Sequence, residues 1–192
     1  MARHTRSWAG ALLLATALLL LIFFVGRVLS LAPSTPLLLI NVGAVGAILF
    51  AVARFWLWRL AAGRRGASLL LWSALLGLAG GLMLFSWLAP ESLWLGMAVS
   101  GSTIDVTLRL AALALLSIGL LRARLVSVGV AAIGLASGTL GLVGLLAHGQ
   151  LGLVPSLVAL GLEIVFLFSV AASLLVRRTL TKVAYAPPAT AL

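Results

Sequence analysis

Six stretches of this chain are apolar for long enough to cross, or nearly cross, a bilayer. They run over about 8–27, 36–55, 67–89, 104–121, 125–147 and 153–176. A helix needs about 20 apolar residues to span a hydrocarbon core about 30 Å thick. Backbone groups in lipid have no water to bond, so only helices or a closed barrel can span it. Barrel strands alternate lipid-facing and lumen-facing residues with period two. These runs are continuously apolar, which selects helices. The expected fold is all-α: a polytopic integral membrane six-helix bundle. The connections are short, so residues 1–192 read as a single transmembrane domain, with 179–192 as a mobile cytoplasmic tail.

The first run could be mistaken for a secretory signal, since a basic segment precedes it. Its apolar stretch, Trp8 to Val25, exceeds the 7–15 residues of a signal core. Pro33 follows the one cleavage-like triplet, Ser30-Leu31-Ala32. A retained transmembrane helix is expected.

The chain is 64% apolar and 8% charged, against roughly 25% charged in a soluble domain. Its charge is lopsided, with thirteen basic residues, three acidic ones and a net +10. That balance suits a nucleic-acid partner until the charges are placed on the spans. Arg3 and Arg6 precede the first helix. Arg54, Arg59, Arg64 and Arg65 read as the loop between helices 2 and 3. Arg122 and Arg124 join helices 4 and 5, and Arg177, Arg178 and Lys182 follow helix 6. Eleven of thirteen bases thus share one side, leaving Arg27 and Arg109 near the other. The positive-inside rule puts both termini in the cytoplasm, as an even number of spans requires. The expected location is a bacterial cytoplasmic (inner) membrane. The expected partners are the lipid bilayer and anionic lipid at its cytoplasmic face, with no nucleic acid.

Local signals mark the helix ends. Trp8, Trp56 and Trp58 fall near one interface, Trp87 and Trp94 near the other. Pro36 and Pro155 suit the first turns of helices 2 and 6. Ser102-x-x-Asp105 reads as a capping box opening helix 4. Residues from Pro90 to about Val99 are too apolar for a solvated loop, and a short interfacial helix is expected there.

Several chemistries are excluded. Without cysteine there is no disulfide framework, thiolate metal site or Cys nucleophile. His4 and His148 are too few for a three-His site, and three acids cannot build a two-metal centre. No phosphate-cradling glycine loop of the P-loop or dinucleotide type is present. No metal, cofactor or catalytic residue is expected, and the chain reads as non-enzymatic.

Small residues form stripes. On helix 5, Ser127, Gly134, Ser137, Gly138, Gly141, Gly144 and His148 share about a third of the circumference. Gly77-x-x-x-Gly81 is a second small-residue pair. Close helix packing is the expected role, and a lined cavity ending at His148 is the alternative. Leu135-Ala136-Ser137-Gly138 resembles the serine motif of rhomboid intramembrane proteases. That chemistry needs a His on a later helix within hydrogen-bond reach of the Ser. The one downstream His, His148, is about 16 Å along the same helix, so the protease reading is rejected.

Glu163 lies about 12–15 Å below the outer boundary of helix 6. An ionised group there costs several kcal/mol unless it is neutral or paired. Arg109 is the best-placed partner, with Asp105 competing at i,i+4. Asn41 and His148 complete a candidate ligand-binding set of Glu163, Arg109, Asn41, His148 and Asp105. Two arrangements follow: a polar pocket open to the outside, or an Arg109–Glu163 strut between helices. The leading expectation is a protein that binds or passes a small solute through such a pocket. The alternative is a structural membrane subunit, homo-oligomeric or bound to a partner, packed through glycine-rich faces.

The C-terminal third carries Leu120-Leu-Arg-Ala-Arg-Leu125, a Gly-rich helix, Leu162-Glu163-Ile164 in the last helix, and Arg177-Arg178. It resembles a family of small six-helix bacterial membrane proteins of unknown function. The family places Pro after the basic turn, where this chain has Val126-Ser127-Val128. It places Trp about six residues after the Glu, where this chain has Ser169. The resemblance implies a fold and no activity.

Overall fold

The computed structural model describes residues 2–29, 37–86, 98–147 and 150–184, with side chains described over 4–26, 45–80, 107–147 and 154–176. These residues form six helices: α1 Ala2–Leu29, α2 Leu37–Leu60, α3 Ala67–Ser86, α4 Ala98–Arg122, α5 Val128–Leu146 and α6 Gln150–Ala184. Each helix packs on its neighbours in sequence, and α6 returns to α1. The result is a closed ring of six helices. Short connections turn the chain at residues 61–66 and 123–127, which share one end with the start of α1 and the end of α6. Arg59, Arg64, Arg65, Arg122 and Arg124 are exposed there and form a basic rim.

Three segments are long and apolar enough to cross a bilayer: His4–Gly26, Val128–Leu146 and Val154–Val176. The outer surface suits lipid. Leu18, Ile22, Ile48, Trp72, Leu78, Val143, Val158 and Val165 are exposed on it. The chain is a multi-pass membrane protein built as a helical bundle.

Packing inside the ring follows the helical period. Leu13, Leu57, Leu70, Leu116, Leu120, Phe166, Leu167 and Leu174 are almost wholly buried and fill the half nearer the basic rim. Glycines bring α5 close to its neighbours. A Cβ on Gly134 would lie 2.8 Å from Phe166 Cε2 of α6 and against Ser117 Oγ of α4. One on Gly141 would lie 2.5 Å from Leu110 Cδ2. Gly134, Gly138, Gly141 and Gly144 are all buried within the bundle, so this face does not stand open to a partner subunit. Ser137 Oγ donates to the Ala159 carbonyl at 2.8 Å and Ser73 Oγ to the Ala112 carbonyl at 2.6 Å, tying α5 to α6 and α3 to α4. In apolar surroundings such bonds satisfy groups that water cannot reach.

Several helix ends differ from the sequence reading. α2 continues past residue 55 to Leu60, because Phe55-Trp56-Leu57-Trp58 remains apolar and helical. Arg54 is therefore inside the helix, not in the loop. α4 starts at Ala98, so Ser102 and Asp105 are inside it and form no capping box at its start. Pro155 is the sixth residue of α6, not in its first turn. Ser127 is the N-cap of α5, accepting from the Val130 N–H at 3.4 Å, not a member of its stripe. α6 runs on to Ala184, so residues 179–184 are helical where a loose tail was expected. Of the interfacial helix expected from Pro90 to about Val99, residues 90–97 lie outside the described residues, and Val99 belongs to α4.

Two turns depend on left-handed backbone. Gly66 has φ +97°, and a Cβ there would lie 2.7 Å from the Gly119 carbonyl oxygen, so α3 starts against the end of α4. Arg124 has φ 55° and closes α4 as a Schellman cap. Its N–H donates to the Leu121 carbonyl and the Leu125 N–H to the Leu120 carbonyl, both at 3.0 Å.

Candidate functional site

The inward stripe of α2 is Gly46, Phe50, Arg54 and Leu57, continued by Ala61 in the turn that follows, all buried. Arg54 is only 3% exposed. It begins about 9 Å inside the end of α2 at Leu60, close enough for an arginine to snorkel to water. Its direction prevents that. Side chains leave a helix tilted toward its N-terminus, and the N-terminus of α2 is at the end away from the basic rim. Arg54 therefore runs deeper into the bundle. Its guanidinium carbon lies 3.9 Å from the centre of the Phe50 ring, one turn further in. This is a cation–π contact in a dry setting, where such contacts are strongest.

Among the described residues the guanidinium finds little else. Nη1 donates to the Ser73 carbonyl of α3 at 3.4 Å. Nε is shielded from solvent and has no hydrogen-bond partner. Ser73 in turn donates to Ala112 of α4, so α2, α3 and α4 are linked through one serine. Gly77 lies on the same side of α3, and a Cβ there would run into Nη1 and come within 2.8 Å of Cζ. The glycine read from sequence as a packing residue makes room here for the buried cation.

Arg54, Leu20, Gly46, Ala47, Phe50, Gly77 and Arg109 line a crevice with about 10 Å³ of free space, the room of one water molecule. Arg109 belongs to the inward stripe of α4, with Leu113, Leu116 and Leu120. Glu163 belongs to that of α6, with Ala159, Phe166 and Val170. Both are partly exposed although they face inward. Glu163 and Arg109 are within electrostatic reach of Arg54. No ion pair within 4.0 Å joins Glu163 to either arginine, and no direct Arg109–Glu163 strut is present. The three charges sit on α2, α4 and α6, alternate members of the ring.

Asn41, Asp105 and Gly81 lie on described helices, but their side chains are outside the described residues, and His148 is outside them altogether. Ser137, the rhomboid-like serine, is 1% exposed and spends its hydroxyl on Ala159. Among the described residues no group of three or more His, Cys, Asp or Glu is placed to hold a metal ion.

Sequence reasoning missed Arg54. Its signal was the four-residue spacing of Gly46, Phe50 and Arg54, continued by Leu57 and Ala61, which sets the arginine on a buried stripe. No family model, curated protein or solved structure matches this chain. The functional reading therefore rests on the site.

Proposed function

We propose that this protein is a non-enzymatic, multi-pass membrane protein that binds a small solute, and passes it, through a polar vestibule with Arg54 at its floor. One observation carries the reading. Arg109 and Glu163 face the bundle interior several turns from the helix ends, yet both remain partly exposed. The half of the bundle toward the basic rim is closed by Leu57, Leu70, Leu120 and Phe166, each 0% exposed. Access to Arg109 and Glu163 therefore comes from the opposite end. Ser156, on the inward face of α6 near that end, is exposed in keeping with this. Intramembrane charges that face a cavity are typical of solute paths.

The positive-inside rule orients this vestibule outward. The basic rim, both termini and any anionic-lipid contact are then cytoplasmic, as in a bacterial inner membrane. The alternative of a structural subunit joined through glycine faces is weakened by the burial of the α5 glycines inside the chain's own ring.

The absence of cysteine makes a direct test simple. Ser156→Cys and Glu163→Cys, each made in the full chain in sealed membranes, are expected to react with a membrane-impermeant thiol reagent added outside. Leu167→Cys, in the closed half, is expected to stay unreactive. Protection of Ser156→Cys and Glu163→Cys alike would rule out the vestibule.

A further inference from the structure

We propose that the crevice at Arg54 is a binding site for one small monovalent anion of chloride or nitrate size. The proposal rests on the vestibule reading and names its solute class. The first argument is charge. Arg54 and Arg109 both line the crevice while Glu163 does not, and among the described residues Glu163 is the one carboxylate within electrostatic reach of Arg54, so the described cluster carries a surplus of one positive charge. Net charge inside a bilayer is costly. A single monovalent anion cancels the surplus. A divalent anion would reverse it, and a cation would enlarge it.

The second argument is the donor inventory. A guanidinium has five N–H donors and no acceptor. Among the described residues Arg54 makes one long bond, to the Ser73 carbonyl, and its buried Nε has no partner. Phe50 covers one face of the group. An anion in the crevice that Arg54 and Arg109 both line adds an acceptor for this donor-rich group. The third argument is size. The crevice offers about 10 Å³ of free space beside Arg54. That suits an object near the size of a water molecule and is too small for an amino acid or a lipid headgroup. Gly77 keeps this side open, since any side chain there would displace the guanidinium.

The test uses the full-length protein in detergent. Its unfolding midpoint is followed as sodium chloride or sodium nitrate replaces sodium gluconate at constant ionic strength. A ligand that binds the folded state raises the midpoint in a saturable way. Chloride or nitrate is expected to do so. Arg54→Gln is expected to raise the half-saturating concentration roughly tenfold or more, the loss typical of a hydrogen bond to a charged group. Arg109→Gln carries the same expectation in a weaker form and serves if Arg54→Gln does not fold. Arg122→Gln, on the exposed rim, is expected to leave the response unchanged. The proposal is overturned if the wild-type protein shows no saturable response. It is equally overturned if Arg54→Gln and Arg109→Gln respond as wild type does. Saturable stabilisation by choline or glycine that depends on Glu163, with none by chloride or nitrate, would remove the anion and keep the vestibule. Thiols at Ser156 and Glu163 closed to external reagent would remove the vestibule itself.

Discussion

Arg54 occupies the space that a side chain on Gly77 would need. A Cβ on Gly77 would lie 2.8 Å from Cζ of Arg54 and 3.3 Å from its Cδ. The two positions are on facing stripes of α2 and α3, so a side chain at Gly77 needs Arg54 to move. Gly77→Ala is expected to destabilise the protein by about 1–3 kcal/mol, the usual cost of overfilling a packed site. The same substitution in an Arg54→Ala background is expected to cost far less, because the colliding group is gone. Unfolding midpoints of the two single variants and the double variant close the cycle. Additive effects would mean that the two residues do not share this space.

Glycines of the bundle divide by what surrounds them, and they predict opposite signs. Gly134 faces Ser117 and Phe166, with a would-be Cβ 2.8 Å from the Phe166 ring. Gly134→Ala is expected to cost about 1–3 kcal/mol. Gly161 has nothing within 4 Å of its Cβ position. Gly161→Ala is expected to be neutral or to gain up to about 1 kcal/mol, since Ala is the better helix former. Thermal unfolding in one detergent compares them directly. A loss at Gly161 as large as that at Gly134 would contradict this division.

The number and rough extent of the helices were legible because lipid demands one property of a span, and hydropathy measures it. Helix ends were less legible, because apolar residues continue past the bilayer boundary wherever another helix covers them. This is why Phe55 to Trp58 extend α2 and carry Arg54 inside. Counting charges by loop placed Arg54 with Arg59, Arg64 and Arg65, and that count hid the most buried cation of the described residues. Its burial depends on which way the stripe faces, which requires knowing that α3 lies beside α2 and that Gly77 is opposite. Glu163 was recognisable because an acid deep in a span is conspicuous. Its relation to Arg54 was not, since the two are 109 positions apart in the chain. Gly77 was read as packing because a small residue beside a helix and a small residue beside a guanidinium leave the same mark in sequence.

Ser137 tests the difference between a catalytic serine and a structural one. Its hydroxyl donates to the Ala159 carbonyl at 2.8 Å, and the side chain is buried between α5 and α6. A nucleophile would need an exposed hydroxyl and a base beside it. Ser137→Ala is expected to cost about 0.6–1.7 kcal/mol, the range for interhelical hydrogen bonds in membranes. A fluorophosphonate probe, which labels activated serines, is expected to leave wild type unmodified at this position. Labelling of Ser137 would reopen the protease reading.

Glu163 and Arg54 are the last pair, coupled through space without touching. Glu163 and Arg109 both lie within electrostatic reach of Arg54, and among the described residues no ion pair joins the three. Glu163→Gln keeps the shape and removes the one carboxylate that the described residues place near the two inward cations. A loss of about 1–3 kcal/mol is expected, in the range of couplings between interacting sites. Removing a cation as well relieves the imbalance, so Arg54→Gln with Glu163→Gln is expected to be more stable than the sum of the single losses implies. The sign of that coupling is what decides. Additive losses in the cycle would show that the two charges are independent, and Glu163 would then owe its place in the span to something other than Arg54. Raising salt offers a second check. Exposed charge pairs weaken with ionic strength while buried ones are screened much less, so the coupling is expected to survive raised salt.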